Sequence, residues 1–571
     1  MFRRTLLSAS LLLASFIAPS FAGFGVKESG NSFVVDTDGG LVFTVNKQSG
    51  DITSMLYNGI QAQDQTKFSH IGSGLGNAPC SWTKIGNYIK ITCTTSTLTQ
   101  YYVAQYKNPA IHMATYITAE PSVGELRFIA RLNRATIPNG YGAANIAGSS
   151  GAIEGSDVFT VSGQTRSKFY SSKQFIDDQV HGVTGPGIGA YMIIPGTGYE
   201  SSSGGPFFRD TLIASITKAV STMASRIQSQ AAHTDSPSPG SIQELYYYMN
   251  SGHTQTEAYR MGLHGPYLLQ FTTGSAPSAN INLAFWDGLG IKGYVPVSGR
   301  GYAKGKASGV PSNFANLVVV AWSNSAAQYW ARADASTGNY YSPAMKPGTY
   351  TMTMYKSELA VATTTVNIGA GQTITANIKS TEATPAVIWQ LGEFDGTPRG
   401  FLNAELVYSD YMRIYQTSNM SISSMIETMH PSDKRMHEWP RTITIGQQGE
   451  GYFPMAIFKA IAPAVIRFSV DSSQTGARTL QIGITLAFAG GRPQVTINNW
   501  TGPTYSPPDQ PNSRGVTRGT WRGNNIMYTI NIPAGVLVST GRNVLTITVI
   551  SGSSGDAYLS PNIVVDAIRL Y

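Results

Sequence analysis

Apolar and polar residues alternate over many short stretches of this chain, and turn-forming residues separate the stretches. The segments SFVVDTDGGLVFTVNKQSGDITSMLYNG (32–59) and QVTINNW (494–500) both show this period of two. Such a period places successive side chains on opposite faces of a β-strand, and the intervening Gly and Asn residues favour turns. The pattern therefore predicts an all-β protein built from sandwiches.

The chain of 571 residues is too long for one hydrophobic core, and its composition divides it into three units. Residues 23–292 are rich in strand patterns and aromatic side chains, which predicts one large domain. The Gly- and Ser-rich segment GYVPVSGRGYAKGKASGV then opens a compact unit, 293–382, whose alternation suits a small immunoglobulin-like or fibronectin-like sandwich. Residues 383–571 alternate again and have a length that suits a jelly roll.

The first 22 residues have the pattern of a secretory signal peptide. Arg3 and Arg4 precede the apolar run Leu6–Ile17, and small residues suit cleavage before Gly23. No later stretch has about 18 uninterrupted apolar residues, the length that a membrane-spanning helix needs. We therefore expect a soluble, exported protein with no membrane partner.

Charge and motifs exclude several classes of function. Removal of the signal peptide leaves 38 basic and 32 acidic residues, a formal charge of +6, which suits a polyanionic substrate without requiring one. Long Lys/Arg runs and standard nucleic-acid-binding motifs are missing, so nucleic acid is not an expected partner. The sequence also lacks G-x-S-x-G, H-E-x-x-H and Walker motifs, and its eight histidines and two cysteines lack metal-ligand spacing.

One segment departs from the strand pattern. Residues 211–240 (TLIASITKAVSTMASRIQSQAAHTDSPSPG) carry apolar side chains at roughly helical spacing, and a Ser- and Pro-rich tail follows them. The segment is interpreted either as an inserted helix or as a stretch foreign to the fold.

Two features depend on export. Cys80 and Cys93 flank an apparent hairpin, and an oxidising compartment favours a disulfide between them. Asn419 and Asn499 lie in N-x-S/T sequences and are glycosylation sites if the source is eukaryotic.

The segment ELRFIARLNR (125–134) carries two candidate binding residues. As a strand, it places Arg127 and Arg131 on one face, about 13 Å apart, and apolar residues on the other face. One interpretation is an exposed outer face of no special function. The other is a pair of guanidinium groups that bind successive carboxylates of a polyanion, for which arginine is well suited.

The segment ELYYYMNSGH divides in the same way. Tyr247 and Met249 share one face and are expected in the core, while Tyr246 and Tyr248 face outward, either as ordinary surface residues or stacked on sugar rings. His253 follows a Ser-Gly turn from which a side chain reaches a groove.

A third segment, TRSKFYSSKQFIDD (165–178), supplies Lys168 and Lys173. Strand lysines are usually surface groups. A lysine near other cations and partly desolvated instead loses basicity and becomes a neutral proton acceptor.

Several long blocks carry a resemblance to a known family: NYIKITCTTSTLTQYYVA, MATYITAEPSVGELRFIARLNR, TRSKFYSSKQFIDDQVHGV, SSSGGPFFRD and YYYMNSGHTQTEAYR. They resemble the fungal rhamnogalacturonan lyases of polysaccharide lyase family 4, and the similarity runs from about Gly23 to the C-terminal NIVVDAIRLY. The resemblance implies a large galactose-mutarotase-like β-sandwich, a fibronectin type III-like sandwich and a C-terminal jelly-roll domain like carbohydrate-binding modules. The segment 211–240 does not resemble the family, which favours a lineage-specific insertion or a retained intron.

The resemblance also implies an activity. Members of the family cleave the α-1,4 bond between rhamnose and galacturonate in the rhamnogalacturonan I backbone of pectin by β-elimination. Carried over by motif, Lys168 is the expected base and His253 the expected acid, and nearby Lys173 is the alternative base. Arg127 and Arg131 are expected to bind carboxylates.

The same resemblance assigns sugar contacts to Tyr246 and Tyr248. It implies a monomer that acts on this acidic polysaccharide, with no required cofactor, and it allows a structural calcium ion in the jelly roll.

Two other functions stay open on the sequence alone. One is a carbohydrate-binding protein without catalysis. The other is a glycoside hydrolase, which needs two carboxylates across the bond and has Glu154, Asp177 and Asp178 as candidates.

Overall fold

The fold is known from a computed structural model. The described parts of the chain are residues 23–121, 125–140, 149, 152–154, 158–167, 169–171, 174–208, 212–215, 242–251, 256–404, 429–510, 516, 525–551 and 560–571. The predicted signal peptide, residues 1–22, lies outside them.

Antiparallel strands form the first domain. Within the described residues its strands are β1 (Gly25–Ser29), β2 (Ser32–Asp36), β3 (Leu41–Asn46), β4 (Ile52–Tyr57), β5 (Ile60–Gln61), β6 (His70–Ile71), β7 (Cys80–Ile85), β8 (Tyr88–Thr94), β9 (Leu98–Gln105), β10 (Ala110–Ile117), β11 (Glu125–Asn133), β12 (Ala152–Glu154), β13 (Val158–Val161), β14 (Gln164–Ser167), β15 (Phe169–Ser171), β16 (Val180–Gly185), β17 (Ile188–Ile193), β18 (Leu212–Ser215), β19 (Ile242–Ser251) and β20 (Gly262–Thr272). Short 3-10 helices occupy Gly196–Tyr199 and Ala284–Gly288.

Three larger sheets share one core in this domain. Their strand orders are β1-β2-β3-β4-β5, β16-β17-β20-β10-β9-β8-β7 and β15-β18-β19-β11-β6, and β12-β13-β14 form a smaller sheet. Alternate residues of β2 and β3, such as Phe33, Val35 and Phe43, point into that core. The seven-stranded sheet is buried on its other face as well, where Trp286 packs against Tyr101 and Val103.

The predicted disulfide is confirmed. Cys80 on β7 and Cys93 on β8 are directly opposite each other in the antiparallel register and are bonded. The bond joins β7, the edge strand of the seven-stranded sheet, to its neighbour.

The helical interpretation of residues 211–240 is wrong at their start. Leu212–Ser215 forms the strand β18, which lies between β15 and β19 in the central sheet. A strand partner on each side decides the local structure there, because tertiary context overrides weak helical spacing. Residues 216–241 lie outside the described residues, so the predicted insertion stays a prediction.

The second domain is a small sandwich. Its strands are β21 (Tyr302–Ser308), β22 (Val318–Ser323), β23 (Gln328–Arg332), β24 (Asn339–Tyr341), β25 (Gly348–Lys356), β26 (Leu359–Ile368), β27 (Thr373–Thr375) and β28 (Ile378–Lys379), with 3-10 helices at Val297–Gly299 and Ser312–Leu317. One sheet has the order β23-β22-β25-β26, and in the other β21 pairs with β24, β27 and β28. Trp322, Tyr350 and Met352 lie in the core between them.

The third domain is a sandwich of two five-stranded sheets. Its strands are β29 (Trp389–Gly392), β30 (Thr442–Thr444), β31 (Ala456–Phe458), β32 (Ala464–Phe468), β33 (Arg478–Phe488), β34 (Arg492–Ile497), β35 (Trp500–Thr501), β36 (Ile526–Ile532), β37 (Asn543–Ile550) and β38 (Asn562–Leu570), with 3-10 helices at Lys434–Glu438, Glu450–Tyr452 and Ser472–Gln474. One sheet contains β29, β38, β33, β36 and β31, and the other has the order β30-β32-β37-β34-β35. Of the two predicted glycosylation sites, Asn499 is exposed in the turn between β34 and β35, and Asn419 lies outside the described residues.

The all-β, multi-domain fold class is therefore confirmed. In the described ranges no helix has the length and apolar character needed to cross a membrane.

A buried carboxylate joins the first two domains. Glu200, in the first domain, accepts from Arg300 at 2.6 Å and from Lys346 at 2.5 Å, and the side chains of Glu200 and Arg300 are only 3% and 4% exposed. A second ion pair across this interface, Arg332 with Asp177, has side chains that are 42% and 48% exposed. The buried group holds the domains together, because removal of one charge leaves its partners desolvated and unpaired.

We expect Glu200→Gln to lower the free energy of unfolding by about 3 kcal/mol, since two cations lose their buried counter-charge. Arg332→Gln is the matched control on the exposed pair and should cost less than about 1 kcal/mol. Urea unfolding followed by tryptophan fluorescence measures both. Equal losses of unfolding free energy in the two variants would contradict the conclusion that Glu200 makes the main ionic contact between the two domains.

Candidate active site

The pairing of β11 with β19 gathers four of the predicted site residues on one face of the central sheet. Arg127 is opposite Tyr248, and Arg131 is opposite Glu244, in the antiparallel register. Tyr246 follows between them, opposite Ile129.

The predicted sidedness of β19 is confirmed. Tyr247 and Met249 belong to the main core of the first domain, whereas Tyr246, Tyr248 and Ile129 form a separate cluster on the other face.

The predicted exposure of this second face is wrong. Arg127 and Arg131 are 7% and 4% exposed, and Tyr246 and Tyr248 are 5% and 2% exposed. Alternation indicates which side of a strand a residue occupies, but it does not indicate what covers that side. A solvated outer face does not describe these arginines, and their binding of carboxylates stays a prediction.

Glu244 links Arg131 to Tyr246. Arg131 Nε donates to Glu244 Oε1 at 2.9 Å, and the Tyr246 hydroxyl donates to Glu244 Oε2 at 2.5 Å. Burial, followed by the nearby Glu244 charge, raises the pKa of Tyr246 well above its usual value, so this hydroxyl keeps its proton. His70 on β6 completes the group, with Nε2 2.5 Å from Nη1 of Arg131.

Arg127 is held by a carboxylate and two aromatic rings. Its Nη1 donates to Glu125 at 2.6 Å and to the Tyr248 hydroxyl at 3.0 Å. The guanidinium carbon lies 5.7 Å and 5.5 Å from the ring centroids of Tyr246 and Tyr248, and these rings stack at 5.7 Å. Arginine stacks and forms hydrogen bonds at once, so each contact restricts the orientation of the planar group.

Lys168, Lys173 and His253 lie outside the described residues. In sequence, Lys168 directly precedes β15, and His253 follows the last residue of β19 by two positions. Both strands belong to the sheet that carries the arginines and tyrosines. The roles predicted for these seven residues stay predictions.

The end of β19 is anchored by a segment of the first domain. Ser203 N donates to Met249 O at 3.0 Å, and Ser203 Oγ donates to Asn250 at 2.8 Å. The segment turns at Gly204, whose φ is +106° and where a side-chain carbon would lie 2.5 Å from the Phe208 ring. Only glycine suits that backbone and that close contact.

The second domain also contacts the segment that anchors the end of β19. Arg260 donates to Ser202 O at 2.8 Å and to Asn324 O at 2.9 Å, and Gln328 of β23 donates to Tyr199 O at 3.1 Å. These contacts connect the chain that follows His253 in sequence to both domains.

Sequence reasoning missed the acidic partners of this site. Glu244 sits 113 positions from Arg131, so only knowledge of the strand pairing brings them together. Glu125 is two residues before Arg127 on the same strand face, and that spacing was a usable signal.

Glu120 is another missed group. Asn250 Nδ2 donates to its Oε1 at 2.5 Å, while its Oε2 is buried with no hydrogen bond in the described part of the chain. Burial raises the pKa of this carboxyl from 4.5 to about 7, although the bonds from Asn250 and from the Leu126 backbone oppose the shift.

The structure describes the partners of two of the three carboxylates considered for a hydrolase. Asp178 is buried 3.3 Å from His181, whereas Asp177 is half exposed and paired with Arg332. The Glu154 side chain lies outside what the structure describes. Within the described residues no group of three or more His, Cys, Asp or Glu side chains is placed to hold a metal ion, and the calcium ion of the jelly roll stays a prediction.

We expect stability to fall with rising pH through the titration of Glu120. Its raised pKa means that the folded state binds the proton more tightly than the unfolded state, so the stabilisation is complete below pH 4.5 and is lost as the pH rises through about 7. Glu120→Gln should remove this dependence, which amounts to at most about 2 kcal/mol because the residue is partly exposed. Thermal unfolding at pH 4.5 and 7.5 compares the two proteins. If the melting temperature changes equally with pH in the wild type and in the Glu120→Gln variant, Glu120 is not the source of the pH dependence.

Comparison with known proteins agrees with this arrangement of domains. Residues 24–293 match the family model "Rhamnogalacturonan lyase B, N-terminal", residues 299–376 match "Polysaccharide lyase family 4, domain II", and residues 387–570 match "Polysaccharide lyase family 4, domain III".

Curated relatives match over the full length. Rhamnogalacturonate lyase A of Emericella nidulans is 50% identical, with 100% of both chains covered. Rhamnogalacturonate lyase A of Aspergillus aculeatus is 49% identical over 99% of this chain and 100% of its own, and the probable rhamnogalacturonate lyase A of Aspergillus fumigatus is 50% identical over 98% of each. The chain therefore belongs to polysaccharide lyase family 4 and is a polysaccharide lyase.

Proposed function

We propose that the protein is a secreted, endo-acting rhamnogalacturonan lyase that cleaves the α-1,4 bond between rhamnose and galacturonate by β-elimination. The observation that carries the proposal is the central sheet of the first domain. Arg127 and Arg131 share one of its faces with Tyr246 and Tyr248, and the predicted base and acid adjoin strands of the same sheet in sequence. The full-length similarity to rhamnogalacturonate lyases supports the substrate.

β-Elimination needs three groups. A base removes the proton at C5 of the galacturonate, and the electron pair of that C–H bond forms the C4=C5 double bond as the C4–O bond breaks. An acid protonates the departing glycosidic oxygen, so no water enters the products. A cation beside the uronate carboxylate stabilises the negative charge that develops next to it.

Lys168 is the proposed base and His253 the proposed acid. A neutral lysine is a proton acceptor of adequate strength once nearby cations and partial desolvation lower its pKa. Arg127 and Arg131 are cations of the same sheet, on β11, which β18 and β19 separate from β15. A histidine is suited to proton donation near neutral pH.

The arginines are proposed to bind uronate carboxylates in orientations that the protein has already set. Glu125 holds Arg127 and Glu244 holds Arg131, so little reorganisation is needed when the substrate arrives. The stacked rings of Tyr246 and Tyr248 beside Arg127 are proposed to contact sugar, in the way that aromatic faces pack on apolar faces of ligands.

Secretion is proposed from residues 1–22 and from the disulfide between Cys80 and Cys93. Disulfides persist in oxidising, extracellular environments and are rare in the cytosol.

Incubation with rhamnogalacturonan I tests the reaction directly. We expect ultraviolet absorbance to rise as the conjugated double bond of the unsaturated uronate forms. New reducing ends without that absorbance would favour hydrolysis. Binding of the polymer without either signal would favour a carbohydrate-binding protein.

Lys168→Ala should reduce kcat by at least about 100-fold, since general base catalysis contributes factors of this size. Lys173→Ala, two positions after the end of β15 in sequence, is the matched control and should keep most of the activity. The rate of absorbance increase measures both variants, with circular dichroism to verify folding. An active Lys168→Ala variant together with an inactive Lys173→Ala variant would identify Lys173 as the base instead.

Arg127→Lys should lower kcat/KM roughly tenfold or more, because lysine keeps the charge but loses the planar fork and the stacking on both tyrosines. Arg134→Lys, just beyond the end of β11, is the control and should change little. Initial rates over a range of substrate concentrations give the comparison, and melting temperatures separate lost binding from lost stability. Unchanged kcat/KM in a folded Arg127→Lys variant would remove this residue from the proposed site.

A further inference from the structure

The outer face of one sheet of the second domain is polar, aromatic and open to solvent. Residues of β21 alternate between the core, where Ala303 and Ala307 lie, and the outer face, where Lys304 and Lys306 are exposed. The neighbouring strands β24 and β27 alternate in the same way. The surface formed by Tyr302, Lys304, Lys306, Tyr341 and Lys379 is called the lysine-tyrosine face below.

Two tyrosines lie side by side at one end of this face. The ring centroids of Tyr302 and Tyr341 are 5.5 Å apart with planes inclined by 38°, and Tyr341 is 54% exposed. In the register, Tyr341 is directly opposite Lys304, so the aromatic pair adjoins the first of the lysines. An open aromatic surface next to a cation offers an apolar platform and a charge to the same ligand.

Charge is distributed unevenly in the second domain. Residues 293–382 contain seven cationic side chains. Four of them form ion pairs with acids, namely Arg300, Arg332, Lys346 and Lys356. The other three are Lys304, Lys306 and Lys379, for which no ion pair exists in the described part of the chain, and all three are exposed.

No acid lies on the four strands of the lysine-tyrosine face. The acids nearest to it in sequence are Glu382, which follows Lys379 by three positions and pairs with Lys356 at 2.5 Å, and Asp334, in the turn before β24. The Asp334 carboxylate accepts hydrogen bonds from the hydroxyls of Ser336 and Thr337 at 2.7 Å and 2.8 Å. The face therefore presents positive charge without a counter-charge of its own, which is complementary to a polyanion.

We infer that the lysine-tyrosine face is an accessory binding surface for acidic polysaccharide. The tyrosine rings would pack against sugar rings, while the lysines would pair with carboxylates along the same chain. An exposed sheet face suits an extended polymer, and weak contacts at several points add up when they belong to one ligand. The surface lies on a different domain from the candidate active site and does not depend on the roles proposed for Lys168 and His253.

Binding of the full chain to polygalacturonate without methyl esters tests the inference. This probe carries uronates but lacks the rhamnose–galacturonate bond, so binding is measured without the proposed cleavage. The triple variant Lys304→Ala/Lys306→Ala/Tyr341→Ala should bind roughly tenfold more weakly in affinity electrophoresis, since exposed ion pairs and ring contacts each contribute a factor of a few. Neutral galactan should bind weakly to both proteins, and added salt should weaken the wild type more than the variant.

Matched controls separate the face from general effects of charge. Lys304→Arg/Lys306→Arg/Tyr341→Phe keeps the charges and the ring and should bind like the wild type. Lys27→Ala removes an exposed lysine of β1 in the first domain and should have no effect. Equal affinity of the triple alanine variant and the wild type for polygalacturonate, or equal affinity of the wild type for galactan, would overturn the inference.

The outcome is distinguishable from that of the proposed lyase activity. Cleavage of short, soluble rhamnogalacturonan oligosaccharides should be unchanged in the triple alanine variant. Should the wild type produce no absorbance with rhamnogalacturonan I, the lyase proposal fails while the binding comparison still decides the role of the face.

Discussion

The antiparallel pairing of β11 with β19 is the constraint on which the central sheet depends. It places Arg131 opposite Glu244 on one face and Phe128 opposite Tyr247 on the other. A slip of one residue would turn the arginines into the apolar core and the aromatic rings out of it. Buried cations are tolerated only beside counter-charges, so the buried Arg131 requires Glu244 as its partner. Glu244 is opposite Arg131 in this register of the two strands. The geometry of the candidate site follows from that requirement.

The sequence predicts sides of strands well and their surroundings poorly. A period of two was enough to separate Tyr247 from Tyr246 and Tyr248, because successive side chains of a strand always point in opposite directions. It was not enough to show that both faces are covered, since the covering residues come from distant parts of the chain. The same limit explains Leu212–Ser215, where a partner strand on each side outweighs helical spacing. The disulfide was predictable because Cys80 and Cys93 belong to one hairpin.

The domains contribute differently to the proposed function. The first domain holds the arginines and tyrosines of the candidate site. The contacts of Arg260 with Asn324 and of Gln328 with Tyr199 connect its neighbouring segment to the second domain. Three cations of the second domain, Arg300, Arg332 and Lys346, pair with acids of the first domain. Lys304, Lys306 and Lys379 instead lie exposed on its lysine-tyrosine face. One small sandwich can therefore serve as a support on one side and as a contact surface on the other.

The disulfide also bears on the protection of a sheet edge. An edge strand presents unpaired backbone groups to any other extended chain, which makes it a starting point for aggregation. At the β7 edge, fraying would expose further hydrogen-bonding groups of β8. The bond between Cys80 and Cys93 keeps these two strands together even when thermal motion breaks their hydrogen bonds. A local covalent link of this kind therefore protects a large sheet against association with other chains.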